Sequence, residues 1–239
     1  MKTLSVNNKE SELRLRIMIL DVLKDLKKTM TYKEMSGLLN IQDTLLCRYV
    51  NGNTIPSEAQ CRDILNKLER NSILREVLRS QIKMYGDGFV DTSRVLQYPS
   101  LLRLVIEIFI RRNITYSIDR IVTPAVNGIP FATIVSQILN KPLVIAKKYK
   151  DSIYFEYYEE SIRESSAQVS NLYIRKDLIN RGDKILIVDD VIRSGRTVDH
   201  LVRLLIRSGG MPKLVIAVVG NTTRRATYNG VEIKTIINV

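Results

Sequence analysis

The chain has 239 residues, enough for one large domain or for two unequal domains with separate cores. Hydrophobic residues make up 45% of it, which predicts a chain folded throughout, and no apolar run approaches the roughly 20 residues that span a membrane. Two cysteines and one histidine argue against a disulfide framework, a zinc site or a histidine-based catalytic triad. The N-terminus lacks the pattern of a secretion signal, so a cytoplasmic location is the default expectation.

The formal net charge of +12 indicates anionic partners, either nucleic acid or phosphorylated small molecules. Residues 1–83 carry 15 Lys and Arg against 10 Asp and Glu, and the remainder carries 22 against 15. Since both parts are basic, charge alone does not separate DNA binding from phosphate binding. A thermophile's surface, rich in Lys, Arg and Glu, is a further explanation of the same balance.

Hydrophobic spacing and capping residues predict helices in the first third of the chain. An amphipathic helix covers residues 11–28. A capping box, Thr31 with Glu34, starts a second helix at residues 32–39. A third helix begins at residue 42 or 43 and ends near Val50. The residues expected to face the core from this third helix are Leu45, Leu46 and Val50.

Two more helices and a break complete this region. Ser57 and Gln60 form another capping box, which opens a helix through Leu68, and helical spacing then continues to residue 84. The run Tyr-Gly-Asp-Gly at residues 85–88 ends it and indicates a hinge. The two predicted domains are residues 1–85 and 86–239.

Two short helices joined by a tight turn are the outline of a helix-turn-helix. Residues 31–57, with a polar helix that ends Arg-Tyr-Val-Asn-Gly before Pro-Ser, resemble λ-repressor/Cro-type DNA-binding domains, and the resemblance covers residues 11–70. It implies that exposed side chains of the third helix meet base edges or phosphates. The implied DNA-binding residues are Gln42, Asp43, Thr44, Arg48 and Asn53. A structural helical cap that mediates only dimer contacts is the alternative.

The second domain is predicted to alternate strands with helices. The expected elements are a short edge strand at 89–91, a helix at 99–112, a strand, turn and helix at 119–132, buried strands at 143–146 and 185–188, a hairpin of 153–159 with 169–175, and strands at 213–219 and 231–237. Such alternation implies an α/β fold with a doubly wound, mainly parallel sheet.

Residues 184–198 carry the clearest chemistry of this domain. Their apolar start predicts a buried strand, and Asp189 and Asp190 are expected to leave its carboxyl end, where open α/β sheets bind ligands. The polar turn 193–197 then opens a helix. Backbone N–H groups at such a helix start, with a serine or threonine hydroxyl, form a cradle for phosphate, and Gly195 allows a close approach. An acidic pair that merely caps the helix is the alternative.

The acidic pair would repel a bare anion, unless it binds sugar hydroxyls or a Mg²⁺ ion that accompanies the phosphates. A phosphorylated ribose with a pyrophosphate group satisfies both demands. The segment resembles the phosphoribosyl-pyrophosphate (PRPP) motif of type I phosphoribosyltransferases, although Arg196 stands where many members have a second glycine. The resemblance implies that the acids hold the ribose hydroxyls and the turn holds the 5′-phosphate. The implied binding residues are Asp189, Asp190, Val191, Arg193, Ser194, Gly195, Arg196 and Thr197.

A second stretch resembles the pyrophosphate-binding loop of the same family, which ends in Gly-Ile-Pro. The resemblance implies that backbone N–H groups of Ala125, Val126, Asn127 and Gly128 face the pyrophosphate. Asn127 departs from the basic or small residue of many enzymes. Lys147 and Lys148 follow the strand 143–146 and could meet pyrophosphate oxygens, or Lys148 could be a solvated cation. The hairpin loop at residues 160–168 lies where the family has a mobile hood.

The two-domain layout resembles archaeal phosphoribosyltransferase-like regulators and, more generally, the bacterial purine repressor. The match includes Asp-Asp-Val-x-x-Ser-Gly-Arg-Thr and the terminal Asn-Gly-Val-Glu-Ile-Lys-Thr-Ile-Ile-Asn-Val. It implies a homodimeric transcriptional regulator that senses PRPP or a nucleoside monophosphate with Mg²⁺. The alternative is a catalytic purine or pyrimidine phosphoribosyltransferase. Tyr228 is the only aromatic residue from 221 to 239, so no convincing platform for a base is found there.

Overall fold

A computed structural model describes residues 9–70, 72–86, 88–163, 169–220 and 227–238. The chain falls into two compact units. We call Met1–Met84 with Asp91–Ile108 the helical unit, and Tyr85–Val90 with Phe109–Val239 the sheet unit. Within the described ranges, no helix has both the length and the apolar character that crossing a membrane requires.

Five helices begin the helical unit: α1 (Lys9–Lys27), α2 (Tyr32–Leu39), α3 (Asp43–Val50), α4 (Glu58–Arg70) and α5 (Ile73–Ser80). Both predicted capping boxes are confirmed. The Thr31 backbone N–H donates to Glu34 Oε2 at 2.7 Å, and the Ser57 N–H donates to Gln60 Oε1 at 2.8 Å. These Thr31 hydrogen bonds hold the pKa of the Glu34 carboxyl below its usual value. Each box satisfies N–H groups that a first helical turn leaves unpaired.

The structure corrects the predicted core face of α3. Leu46 and Tyr49 are buried, whereas Leu45 and Val50 are only half-buried. Tyr49 lies three residues after Leu46 and therefore shares its face of the helix. A tyrosine ring can also be buried although its hydroxyl is polar.

The structure also corrects the predicted end of the fifth helix. α5 ends at Ser80, and residues 83–84 form a short strand, β1 (Lys83–Met84). The Gln81 and Ile82 N–H groups donate to carbonyls three residues back, at 3.1 and 3.0 Å, which closes a tight turn instead of extending the helix.

The helical unit also includes residues 91–108, which lie beyond the predicted domain boundary at residue 85. That domain boundary stays a prediction. The next elements are β2 (Val90–Asp91), a 3₁₀ turn (Ser93–Gln97) and α6 (Pro99–Asn113). Asp25 of α1 is buried, and its Oδ2 accepts the N–H groups of Ser100 and Leu101 at 2.8 and 3.0 Å. An acid from one helix therefore caps the start of another.

The sheet unit contains β3 (Arg120–Pro124), α7 (Ile129–Leu139), β4 (Leu143–Ala146), β5 (Tyr157–Arg163), β6 (Val169–Arg175), β7 (Lys184–Ile192), α8 (Arg196–Arg207), β8 (Met211–Gly220), β9 (Thr227–Tyr228) and β10 (Val231–Asn238). Six strands form a sheet in the order β4-β3-β7-β8-β10-β9. All neighbours are parallel except β9 and β10. The predicted mainly parallel α/β sheet is confirmed. β5 and β6 form a separate antiparallel hairpin.

The strand order creates a switch point between β3 and β7. From β3 the chain continues to β4 on one side, and from β7 it continues to β8 on the other. Open α/β sheets bind ligands in the crevice at the carboxyl ends of such strands. The core of β7, residues 185–188, is at most 1% exposed, which fixes the strand in the middle of the sheet.

Two predicted boundaries in this unit are wrong. β7 continues to Ile192, so the acidic pair lies inside the strand, with Asp189 opposite Ala217 of β8. Pairing with the longer β8 keeps these residues extended. The hairpin begins at Tyr157 rather than residue 153, because the Tyr157 hydroxyl accepts the N–H groups of residues 151 and 152 and holds them in a bend. Residues 164–168 of the predicted loop lie outside the described residues.

We predict that Asp25→Ala lowers the free energy of unfolding by about 2–4 kcal/mol, because the N–H groups of the half-buried Ser100 and the buried Leu101 lose their acceptor. The measurement is urea denaturation followed by circular dichroism. Asp21→Ala is the matched control on the same helix, since Asp21 makes only a half-exposed ion pair with Lys24 and should cost less than about 1 kcal/mol. Equal losses in the two variants would contradict the capping role.

Candidate functional site

The acidic pair of β7 is buried. Asp189 and Asp190 are 8% and 9% exposed, and the Asp190 N–H donates to Asp189 Oδ1 at 2.9 Å. Burial, followed by the neighbouring charge of Asp190, raises the pKa of Asp189 well above its ordinary value. Such a carboxyl group gains most from a ligand that brings hydroxyl donors or a cation.

The helix-capping explanation of this pair does not fit the structure. The residue at the start of α8 is Gly195, with no side-chain cap, and the acid in the first turn is Asp199. Asp189 and Asp190 lie within the strand before the turn. The pair therefore does not cap α8.

The turn after β7 lies at the start of a twelve-residue helix. Gly195 has a φ of +69°, a conformation that favours glycine, and Arg193, Ser194 and Arg196 are exposed. A cavity of about 440 Å³ is lined by Asp189, Val191, Ile192, Arg193, Ser194, Gly195, Arg196, Thr197 and Val198. The cavity thus combines an acidic wall with the partly positive start of a helix, which suits a sugar phosphate.

The loop after β3 approaches the same acid. A Cβ atom on Gly128 would lie 2.9 Å from Asp189 Oδ1 and would overlap the Thr123 hydroxyl, so only glycine fits here. The Ala125 N–H donates to Ala146 O at 2.8 Å, which leaves the exposed Val126 and Asn127 and the buried Gly128 as the loop's donors. The peptide bond between residues 125 and 126 is cis.

The two predicted lysines differ. The Lys147 ammonium contacts both carboxylate oxygens of Asp151, at 2.8 and 2.9 Å, and this contact raises the pKa of Lys147. Its backbone pairs with Tyr173 of β6. Lys148 is exposed. A pyrophosphate group would have to compete with Asp151 for Lys147.

The acidic pair of β7 suits a metal ion only if the ion is also bound by the ligand. Among the described residues, no group of three or more His, Cys, Asp and Glu side chains could hold an ion. Two adjacent carboxylates suit Mg²⁺ that keeps most of its bonds to phosphate oxygens and water.

The predicted DNA-contacting residues are all exposed: Gln42, Asp43, Thr44, Arg48 and Asn53. Asp43 Oδ1 accepts the Thr44 N–H at 2.8 Å, and the Asn53 N–H donates to Arg48 O at 2.9 Å. Burial of Leu46 and Tyr49 on the opposite face fixes this orientation.

Residues 91–234 match the phosphoribosyl transferase domain. The chain belongs to this family. The matched residues contain both the β3 loop and the β7 turn, so the geometry above belongs to a phosphoribosyltransferase domain.

Similar proteins include enzymes and regulators. "HGPRTase-like protein 2" of Halalkalicoccus jeotgali is 31% identical over 143 residues, which cover 59% of this chain and 74% of that protein. The "Purine biosynthesis transcriptional activator PurR" of Lactococcus lactis is 29% identical over 137 residues, 56% of this chain and 50% of that protein. The crystal structure of adenine phosphoribosyltransferase from Rhodothermus marinus has a TM-score of 0.62 and 26% identity, covering 71% of this chain and 100% of that chain.

Two further residues of the phosphoribosyltransferase domain shape the site and were not predicted from the sequence. Thr123 is fully buried beside Gly128, and Tyr228 packs against the turn. Thr123 carries no local cue, because its role depends on a neighbouring strand. For Tyr228, the following Asn-Gly pair is typical of a hairpin turn and could have indicated that the tail folds back.

We predict that Asp189→Asn raises the melting temperature of the ligand-free protein, and more so at pH 8 than at pH 5. The folded carboxyl group has the raised pKa, so the folded state binds more protons than the unfolded state between the two pKa values. Wild-type stability therefore falls as pH rises through that interval, whereas asparagine does not titrate.

Thermal denaturation at the two pH values checks this expectation. Asp177→Asn is the control, because the Arg175 hydrogen bond lowers the pKa of Asp177 and its replacement should give no gain. A lower melting temperature for Asp189→Asn at pH 8 would show that the buried charge is already compensated within the protein.

Proposed function

We propose that the chain is a homodimeric DNA-binding transcriptional regulator that binds PRPP or a nucleoside monophosphate. The carrying observation is that the helices α1 to α5 precede the family match, which begins at residue 91 and contains the buried acids and the turn 193–197. The Rhodothermus enzyme is covered completely by 71% of this chain, so this chain has residues beyond such an enzyme. The likeness to PurR proteins supports a regulatory use of the domain.

In the proposed complex, each part of the ligand meets a different element. Asp189 and Asp190 accept hydrogen bonds from the ribose hydroxyls. The turn 193–197 donates backbone N–H groups to the 5′-phosphate, and the loop 126–128 donates to the pyrophosphate. Mg²⁺ enters with the phosphates, whose charge it neutralises beside the acidic pair.

For DNA, we propose that α2 and α3 act as a helix-turn-helix. Gln42 and Thr44 at the start of α3 are exposed and can reach base edges, while Arg48 can bind a base or a phosphate. In a two-fold dimer the two recognition helices lie about 34 Å apart, one turn of DNA, and read a pseudo-palindrome. The net charge of +12 favours association with DNA.

Coupling between the two activities is proposed to involve Arg193. Its guanidinium lies 5.6 Å from the centre of the Phe89 ring, and Phe89 contacts Tyr85 at 5.8 Å between ring centres. Residues 85–89 follow the helices in sequence. A phosphate that draws Arg193 away removes a contact of about 0.5–1 kcal/mol. A total coupling of about 1–3 kcal/mol is typical of ligand-controlled binding.

The second candidate is a catalytic phosphoribosyltransferase, favoured by the likeness to proteins named hypoxanthine/guanine and adenine phosphoribosyltransferases. In that reaction a base attacks C1′ of PRPP as pyrophosphate leaves, which requires mainly positioning and charge stabilisation. An assay of pyrophosphate release with adenine, guanine, hypoxanthine, xanthine, orotate and uracil distinguishes the two candidates. Robust turnover with any base would make catalysis the primary function.

We predict that wild-type protein retards DNA from upstream of its own gene, and that Arg48→Ala weakens this binding about 5- to 100-fold, the cost of one arginine contact. Arg62→Ala, which removes an arginine from α4 where it pairs with Glu58, is the charge-matched control. If the wild type did not retard the DNA at moderate salt, the proposal that the protein binds DNA would be wrong. The Asp189→Asn, Asp190→Asn double variant should lose PRPP binding in calorimetry but keep DNA binding.

We predict that Phe89→Ala reduces the effect of PRPP on DNA affinity while both separate affinities change less than about threefold. The variant removes the Arg193 contact but no proposed ligand donor. Fluorescence anisotropy of labelled DNA with and without PRPP gives the coupling. Tyr154→Ala, an exposed aromatic residue elsewhere in the sheet unit, is the control. Unchanged coupling in Phe89→Ala would exclude this route.

A further inference from the structure

We propose that Tyr228 is a positioning residue that sets the phosphate-binding conformation of the turn 193–197. This inference rests on the proposed function, because it identifies what orients the donors of that site. Tyr228 lies in β9, is 4% exposed, and its hydroxyl donates to the Ser194 carbonyl at 2.8 Å. A residue 34 positions away in sequence thus holds one peptide of the turn.

The hydrogen bond determines where the next N–H points. In a planar trans peptide, the carbonyl oxygen and the following N–H lie on opposite sides of the chain. The Ser194 carbonyl faces Tyr228, so the Gly195 N–H faces away from the tyrosine. Ser194 and Gly195 line the cavity, whereas Tyr228 is not among the described residues that line it. The tyrosine therefore contacts the turn on the side away from the cavity, and the Gly195 N–H can donate to the ligand.

Packing adds to the hydrogen bond. A Cβ atom on Gly195 would overlap the Tyr228 ring, so the ring fills the space beside the glycine at its positive φ. The next residue, Asn229, donates from Nδ2 to Asp199 Oδ1 at 2.9 Å, in the first turn of α8. Two consecutive residues of the β9–β10 hairpin therefore hold the turn and the helix start in one arrangement.

This arrangement makes the role of Tyr228 selective for one end of the ligand. The turn faces the 5′-phosphate, whereas the proposed pyrophosphate donors lie on the separate β3 loop at residues 126–128. Removal of the hydroxyl should release the Ser194–Gly195 peptide and weaken only ligands with a 5′-phosphate. A merely structural role would weaken both ends alike.

The test is calorimetry of the full chain with ribose 5-phosphate and, separately, with Mg²⁺-pyrophosphate. Tyr228→Phe keeps the ring but removes the hydroxyl. It should lower the affinity for ribose 5-phosphate about tenfold, which corresponds to the loss of one hydrogen bond. The affinity for pyrophosphate should change less than about twofold. Tyr116→Phe is the matched control, because its hydroxyl reaches a backbone carbonyl of the same unit, Lys213 O, at 3.5 Å. That variant should bind both ligands as the wild type does.

A second measurement keeps the proposal testable if Tyr228→Phe fails to fold. In ¹⁵N-labelled wild type, the Gly195 amide resonance should shift when ribose 5-phosphate binds, and the absence of a shift overturns the proposal. Equal ribose 5-phosphate affinity in Tyr228→Phe and the wild type overturns it too, while leaving the proposed function intact. If the wild type binds neither PRPP nor any nucleoside monophosphate, the proposed function fails.

Discussion

The constraint on which the sheet unit depends is the burial of two consecutive carboxyl groups in its central strand. Removing a charge from water costs several kcal/mol unless a partner compensates it. Asp189 meets this cost partly by retaining its proton to higher pH, and only glycine at residue 128 leaves room for it. The fold therefore carries an unfavourable electrostatic term at the place where a ligand would relieve it, which is typical of functional sites.

The helical unit depends on a different kind of interaction. Side chains cap the starts of α2, α4 and α6: Thr31 and Ser57 act within their own helices, and Asp25 of α1 accepts N–H groups at the start of α6. These contacts satisfy backbone donors at the helix starts. The exposed side of α3 carries polar residues. One unit thus presents a polar helix surface, and the other presents two buried acids beside the turn that opens α8. The proposed regulatory function rests on these two features.

The elements that local sequence determines were predicted well. Thr31 with Glu34 gave the start of α2, and apolar runs gave β4 and the core of β7. The errors occur where a distant partner decides. The pairing of β7 with β8 keeps Asp189 extended, the Tyr157 hydroxyl delays β5, and Tyr228 reaches Ser194 from the last hairpin. Hydrophobic periodicity does not predict such contacts, because they depend on how separate segments of the chain pack together.

The margins of the six-stranded sheet bear on how copies of this chain could associate. At one side β9 pairs with Val231 and Glu232 of β10, and at the other the backbone of Lys147, just past β4, pairs with Tyr173 of the hairpin. Unpaired margins are templates for edge-to-edge aggregation. The chain's own backbone thus occupies part of both margins, which leaves less unpaired strand for pairing with a second copy of the chain.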